Sequence, residues 1–182
     1  MSSFWIKNIS NVVSFDNIES VQYDAEGAEP GALLRCVDDV GTFSWYLPSY
    51  IEFTIPVGQV IPASVDTRVN LTLQQESRGT SGISDNGSGV FSVVEAGAYH
   101  MTTSLRITES SNTGLREHYI LLNGIDTLAR ITIEDTSQFG AFQNLSIIRH
   151  LEVGDTIEVF YTHTSPGTVT IQDITFSMKQ LL

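Results

Sequence analysis

Charge is scarce in this chain, and basic charge scarcer still. Only 16% of its 182 residues are charged, and nine Lys and Arg face 21 Asp and Glu, for a formal net charge of −12 at pH 7. Such a molecule repels phosphate backbones and anionic headgroups, which argues against nucleic-acid binding and against an electrostatic membrane contact. The single cysteine, Cys36, excludes an intrachain disulfide and therefore a disulfide-framed scaffold, and reads as a small buried apolar residue. No apolar run reaches the length of a membrane span, and the first residues lack a basic start followed by an apolar stretch. The expectation is neither a cleaved secretion signal nor membrane insertion. Helical periodicity is missing throughout, and the low charge argues against a coiled coil or a disordered chain.

What the chain does have is a core-forming composition, 41% hydrophobic, enough for one sizeable domain and a small appendage. Apolar and polar residues alternate from Tyr99 to Ile107, with Tyr99, Met101, Leu105 and Ile107 on one side. Similar runs are Val69-Leu71-Leu73, Tyr119-Leu121, Leu145-Ile147, Ile157-Val159-Tyr161 and Val169-Ile171. Period two places alternate side chains on opposite sheet faces, the mark of half-buried strands. After Ile171 the phase slips at Gln172-Asp173 before resuming at Ile174-Phe176-Met178, which predicts a β-bulge. Asn123-Gly124 suits the φ > 0 pair of a type I′ hairpin, and Gly154-Asp155 and Pro166-Gly167 mark further reversals. Strands recurring every ~8 to 12 residues predict an all-β fold, an antiparallel sandwich or jelly roll. The Gly- and Ser-rich stretch from Ser77 to Gly89 reads as an exposed loop within that domain.

Residues 1–57 read as a separate β-rich attachment segment, and 58–182 as the head. The first part holds both tryptophans, Trp5 and Trp45, and short β runs with too few apolar residues for an independent core. Aromatic anchors concentrate binding energy in small contacts, so Trp5 and Trp45 are the candidate attachment residues; packing on the head is an equal alternative.

The sequence carries no recognisable catalytic motif. There is no Gly-x-Ser-x-Gly elbow, no His-Glu-x-x-His and no glycine-rich phosphate loop. His100, His118, His150 and His163 stand singly and read as exposed polar-face residues rather than metal ligands. Asp85, Glu134, Asp135 and Asp155 match no calcium loop. Four Asn-x-Ser/Thr sequons, at Asn8, Asn70, Asn86 and Asn144, carry little weight in a chain so rich in Ser and Thr. The expectation is a non-enzyme with no cofactor and no metal.

Six short motifs in order then resemble the C1q/TNF-like trimeric globular head. They are Ile61-Pro62 before Val69-Leu73, Gly89-Val90-Phe91, Glu95-Ala96-Gly97-Ala98-Tyr99, Tyr119-Ile120-Leu121-Leu122-Asn123-Gly124, Leu151-Glu152-Val153-Gly154-Asp155, and Ile174-Thr175-Phe176. The resemblance covers roughly two thirds of the chain and implies a two-sheet antiparallel jelly roll assembled as a homotrimer. Strands with large apolar groups on both faces fit a covered outer face, so Tyr119, Phe160, Tyr161 and Phe176 are the candidate trimer-interface residues.

Secreted members of that family carry a collagen stalk and signal, and cytokine members a membrane anchor, and neither pattern is present here. Heads of this kind also occur on virus and phage particles. The leading expectation is therefore a virion surface protein, a knob, spike or capsid decoration. Its N-terminal segment would dock to a capsid or other virion protein, and its head would meet a host receptor or glycan. A soluble C1q/TNF-like ligand or carbohydrate-binding module is the alternative. The candidate apical loops are Ser77 to Gly89 and Ser110 to Gly114.

Overall fold

The computed structural model describes residues 4–6, 12–14, 21–23, 32–36, 42–55, 58–79, 82–108, 114–135 and 142–181. The chain divides into two units, Met1–Pro48 and Ser49–Leu182. In the first, β1 (Phe4–Ile6) pairs in parallel with β3 (Val21–Tyr23). There too, β2 (Val12–Ser14) and β4 (Leu33–Cys36) flank β5 (Thr42–Tyr46) in an antiparallel sheet.

The second unit is a sandwich of two antiparallel six-stranded sheets. One runs β10 (Ile83–Asp85), β11 (Val90–Val93), β16 (Thr156–His163), β13 (Gly114–Leu122), β14 (Asp126–Asp135), with β8 (Thr67–Arg68) also on β16. The other runs β15 (Phe142–Leu151), β12 (Gly97–Thr108), β17 (Thr168–Gln180), β6 (Tyr50–Thr54), β9 (Leu73–Arg78), with β7 (Gln59–Pro62) also on β17. Most strands pair with partners distant in sequence, the long-connection pattern of a jelly roll.

The alternation on β12 does what its period requires. Tyr99, Met101, Leu105 and Ile107 are fully buried, and they meet Ile120, Val159 and Ile157 from the facing sheet in one core. Phe91 sits between Phe53 and Phe176, with ring centroids 4.9 Å from each. Each such fully buried side chain contributes roughly 1.5–3 kcal/mol. The slip at Gln172-Asp173 is a bulge: Arg106 pairs with Asp173 and Ile107 with Ile171, which leaves Gln172 unopposed.

Two local readings differ from the sequence. Val69 and Leu71 are buried, but they lie in an irregular stretch between β8 and β9, where Leu73 is exposed. The backbone of Gly89 packs against them so tightly that a Cβ there would stand 2.7 Å from the Val69 carbonyl oxygen. The Ser77 to Gly89 stretch also contains β10, with Ile83 buried, because Ile83 pairs with Val93. Residues 80 and 81 of it lie outside the described residues, as do residues 110–113 of the other candidate loop.

Strand β6 belongs to the head: Phe53 pairs with Phe176 and is buried in the core, so the unit that contains the head starts at Ser49, ahead of the boundary expected at residue 57. Ser49 explains the tight start. Its hydroxyl donates to the Gly79 carbonyl and accepts from the Gly82 N–H at 2.8 Å, while its carbonyl takes the Gln180 N–H at 2.8 Å.

Candidate functional site

The four residues expected to cover a trimer interface separate into two pairs. Tyr161 and Phe176 are fully buried and point into their own sandwich, Phe176 stacking on Phe91 at 20° between ring planes. They are core residues, with no surface to offer a neighbour. Tyr161 had looked two-faced because Val159-Phe160-Tyr161 is a consecutive apolar run, whereas Phe176 lies between Thr175 and Ser177 and shares the inward phase of Ile174 and Met178.

Tyr119 and Phe160 project from the outward face of the sheet that contains Tyr161, stacked at 5.7 Å and 13°. They form the middle of a row across four strands, because Arg130 pairs with Tyr119, Tyr119 with Phe160, and Phe160 with Arg68. The Arg130 guanidinium lies 5.2 Å from the Tyr119 ring centroid, and Arg68 reaches Glu158 at 3.0 Å. Tyr119 is consequently only 5% exposed, although it is on an outer face. Burial, then a hydrogen bond to Asp66, hold its phenolic proton well above the ordinary tyrosine range. The row is a cation–aromatic ladder that shields itself, and its arginines are already paired with carboxylates.

The face that is left open is the outward side of the other sheet, which no candidate residue had marked. Strand β15 ends that sheet, and its outward residues are Phe142, Asn144, Ser146, Ile148 and His150, all exposed. Phe142 is 68% and Ile148 63% exposed. Between them the register sets two rows of polar groups, all small but for Glu52 at the far end of one. Asn144, Ser104, Thr175 and Thr54 lie side by side across four strands, and so do Ser146, Thr102, Ser177 and Glu52. Thr102 and Ser177 hydroxyls bond at 2.7 Å, and the His100 Nε2 meets Ser146 Oγ at 2.9 Å.

Because these side chains are short, the sheet is dented there. A depression of about 300 Å³ opens over Thr102, Ser104, Asn144, Ser146 and Thr175. The feature is thus an uncharged, hydroxyl-lined hollow with a large apolar side chain, Phe142 or Ile148, to either side of it along the edge strand. An exposed edge strand of this kind, with Arg149 as its only Lys or Arg and no Pro, is a surface that proteins normally cover.

Two histidines read as exposed are buried instead. His118 is completely enclosed, its Nε2 3.3 Å from Thr103 Oγ1, and burial pushes its pKa down to about 4. His163 is 1% exposed, with Nε2 3.0 Å from the Ile61 carbonyl. Pairing between β13 and β16 places His118 beside Tyr161 and the buried Arg116 beside His163. No periodic signal distinguishes an inward His from an outward one when its strand neighbours are mixed. Among the described residues no group of three or more His, Cys, Asp or Glu could hold a metal ion, and no helix is long and apolar enough to cross a membrane. Trp5 and Trp45 lie in β1 and β5, and their side chains fall outside what is described.

No protein-family profile and no curated protein matches the chain. Among solved structures it is similar to the PRD1 vertex protein P5, at 15% identity and a TM-score of 0.59 over 74% of this chain and 97% of that one. Murine APRIL matches at 18% identity and a TM-score of 0.56, over 74% of this chain and 99% of that one. The Eiger TNF from S. frugiperda matches at 10% identity and a TM-score of 0.52, over 74% and 92%. The fold is therefore a C1q/TNF-like jelly-roll head, all-β and antiparallel.

Proposed function

We propose that the protein is a non-enzymatic, trimeric structural and binding protein of a virus or phage particle, with Ser49–Leu182 as its outward head. The observation that carries the assembly is the open face of β15, β12, β17 and β6. Phe142 and Ile148 remain exposed at the two ends of an uncharged hollow of matching scale. Two large apolar groups beside small-residue rows suit burial against neighbouring copies, and three copies that bring this face to a common axis close into a ring when the rotation is a third of a turn. Tyr119 and Phe160 stay on the outer surface in this arrangement, and the three copies cover Phe142 and Ile148.

The particle setting is supported by the likeness to a vertex protein across almost all of that chain's length. An acidic head that repels nucleic acid and anionic lipid suits an exposed, soluble knob. Of the segment expected at residues 1–57, the part in the first unit, residues 1–48, is the proposed attachment segment, with Trp5 and Trp45 as its anchors. Immunolabelling of purified particles from the source of this chain tests the reading. Label on the particle surface, lost when residues 1–48 are deleted while the head stays folded, is the expected result. Particles without the chain, or full incorporation of the truncated form, would contradict it.

A further inference from the structure

Three turns at one end of the head are tied together by hydrogen bonds, and each carries an apolar side chain at its tip. The Gly154 N–H donates to the Val93 carbonyl and the Val93 N–H to the Asp155 carbonyl, both at 2.8 Å. The Asn123 N–H donates to the Thr156 carbonyl at 2.9 Å. On these turns Val94 is 50%, Val153 66% and Ile125 82% exposed. No packing requirement of the head explains the Ile125 side chain: the turn is closed by the Ile125 N–H donating to the Leu122 carbonyl at 3.1 Å, and a polar side chain would serve an exposed turn better.

The charge around the tips is one-sided. Residues 94–96, 123–126 and 152–155 include Glu95, Asp126, Glu152 and Asp155, and no lysine or arginine. A second copy of this end would meet it carboxylate against carboxylate, and an anionic lipid surface would be repelled in the same way. The rigid backbone frame also matters, since contacts held in place before binding lose little entropy on association.

We infer that Val94, Ile125 and Val153 form a docking cap for a protein surface that is apolar at its centre and basic at its rim. The end concerned is the one where the head begins: the Val94 N–H donates to the Gly82 carbonyl, and the Gly82 N–H to Ser49 Oγ. The inference deepens the particle-docking reading by giving the head its own contact, and it is independent of the trimer.

The test uses the full chain and two immobilised amphipathic helical peptides, one of leucine flanked by arginine and one of leucine flanked by glutamate. Wild-type protein should bind the arginine peptide, more weakly as salt rises, and ignore the glutamate peptide. The triple variant V94S/I125S/V153S should bind at least tenfold more weakly, with unchanged melting temperature and molar mass. A second variant, D126N/E152Q, should lose most of the salt dependence while keeping the apolar contact. Equal binding by wild type and the serine variant overturns the inference, as does a preference for the glutamate peptide. Serine-sensitive binding to neutral phosphatidylcholine vesicles would make the cap a lipid contact, and a fall in molar mass would make it a self-association face. Either result also overturns the inference. A monomeric wild type that still binds the arginine peptide would contradict the trimer alone.

Discussion

Asn123 Nδ2 donates to Asp155 Oδ1 at 2.8 Å, joining two turns 32 residues apart in sequence. Each residue does more than this. Asn123 Oδ1 accepts the Thr156 N–H and Asp155 Oδ2 the Glu152 N–H, both at 2.8 Å, and Asn123 itself sits at φ 55°. An asparagine tolerates that backbone and uses its amide locally, where alanine does neither. Asn123→Ala should cost about 2 kcal/mol, from the left-handed backbone and the lost hydrogen bonds together. Asn123→Gly should recover the backbone part only. Urea denaturation of the two variants checks the order; equal stability of both with wild type would contradict it.

His118 should make the head acid-sensitive. Its folded pKa, about 4, lies below the ordinary 6.5, so the unfolded chain takes up a proton first as pH falls. Its contribution to stability is fully present above pH 6.5, declines between 6.5 and 4, and falls no further below. Between pH 7 and 5 the loss should be about 2 kcal/mol by linkage from that shift. His118→Gln should flatten this part of the profile. Unfolding midpoints at pH 7 and 5 that move equally in wild type and variant would show another group in control.

Gly87 and Gly89 share a left-handed backbone, at φ 74° and 73°, but differ in surroundings. A Cβ on Gly87 meets nothing within 4 Å, whereas on Gly89 it would lie 2.7 Å from the Val69 carbonyl oxygen and 3.1 Å from the Leu71 nitrogen. Gly87→Ala should cost about 1 kcal/mol for the backbone alone. Gly89→Ala should cost roughly 1–3 kcal/mol more, because backbone must shift. Thermal melts of the pair decide it, and equal melting temperatures would contradict the close approach.

Phe176 and Phe160 should part company on truncation. Phe176→Ala leaves a hole beside Phe91 in a fully enclosed site and should cost ~3–5 kcal/mol. Phe160 is only partly buried, on an outer face. Phe160→Ala should cost well under half as much, and neither change should alter the molar mass of the folded protein. A Phe160→Ala variant as destabilised as Phe176→Ala would place Phe160 in a buried contact.

These contrasts mark where the sequence was informative. Alternation on β12, the Asn123-Gly124 turn and the slip at Gln172-Asp173 were legible because each is a local rule with one structural solution. The faces of Tyr161 and Phe160 were not, since consecutive apolar residues carry no phase. Nor was the hollow beside Phe142, which exists only because Ser104, Asn144 and Thr175 come from three strands brought into register by the fold. Tyr119 looked like surface for a partner, yet Arg130 from the next strand covers it. His118 and His163 looked exposed because a lone strand histidine usually is.

The central claim is that Phe142 and Ile148 close three copies into a ring. Molar mass by light scattering at micromolar concentration, measured for the full chain and for F142D/I148D, tests it most directly. Wild type should have three times the 20.0 kDa chain mass and the variant the mass of a single folded chain. A wild-type mass of 20.0 kDa, or an unchanged oligomer in the variant, would contradict it.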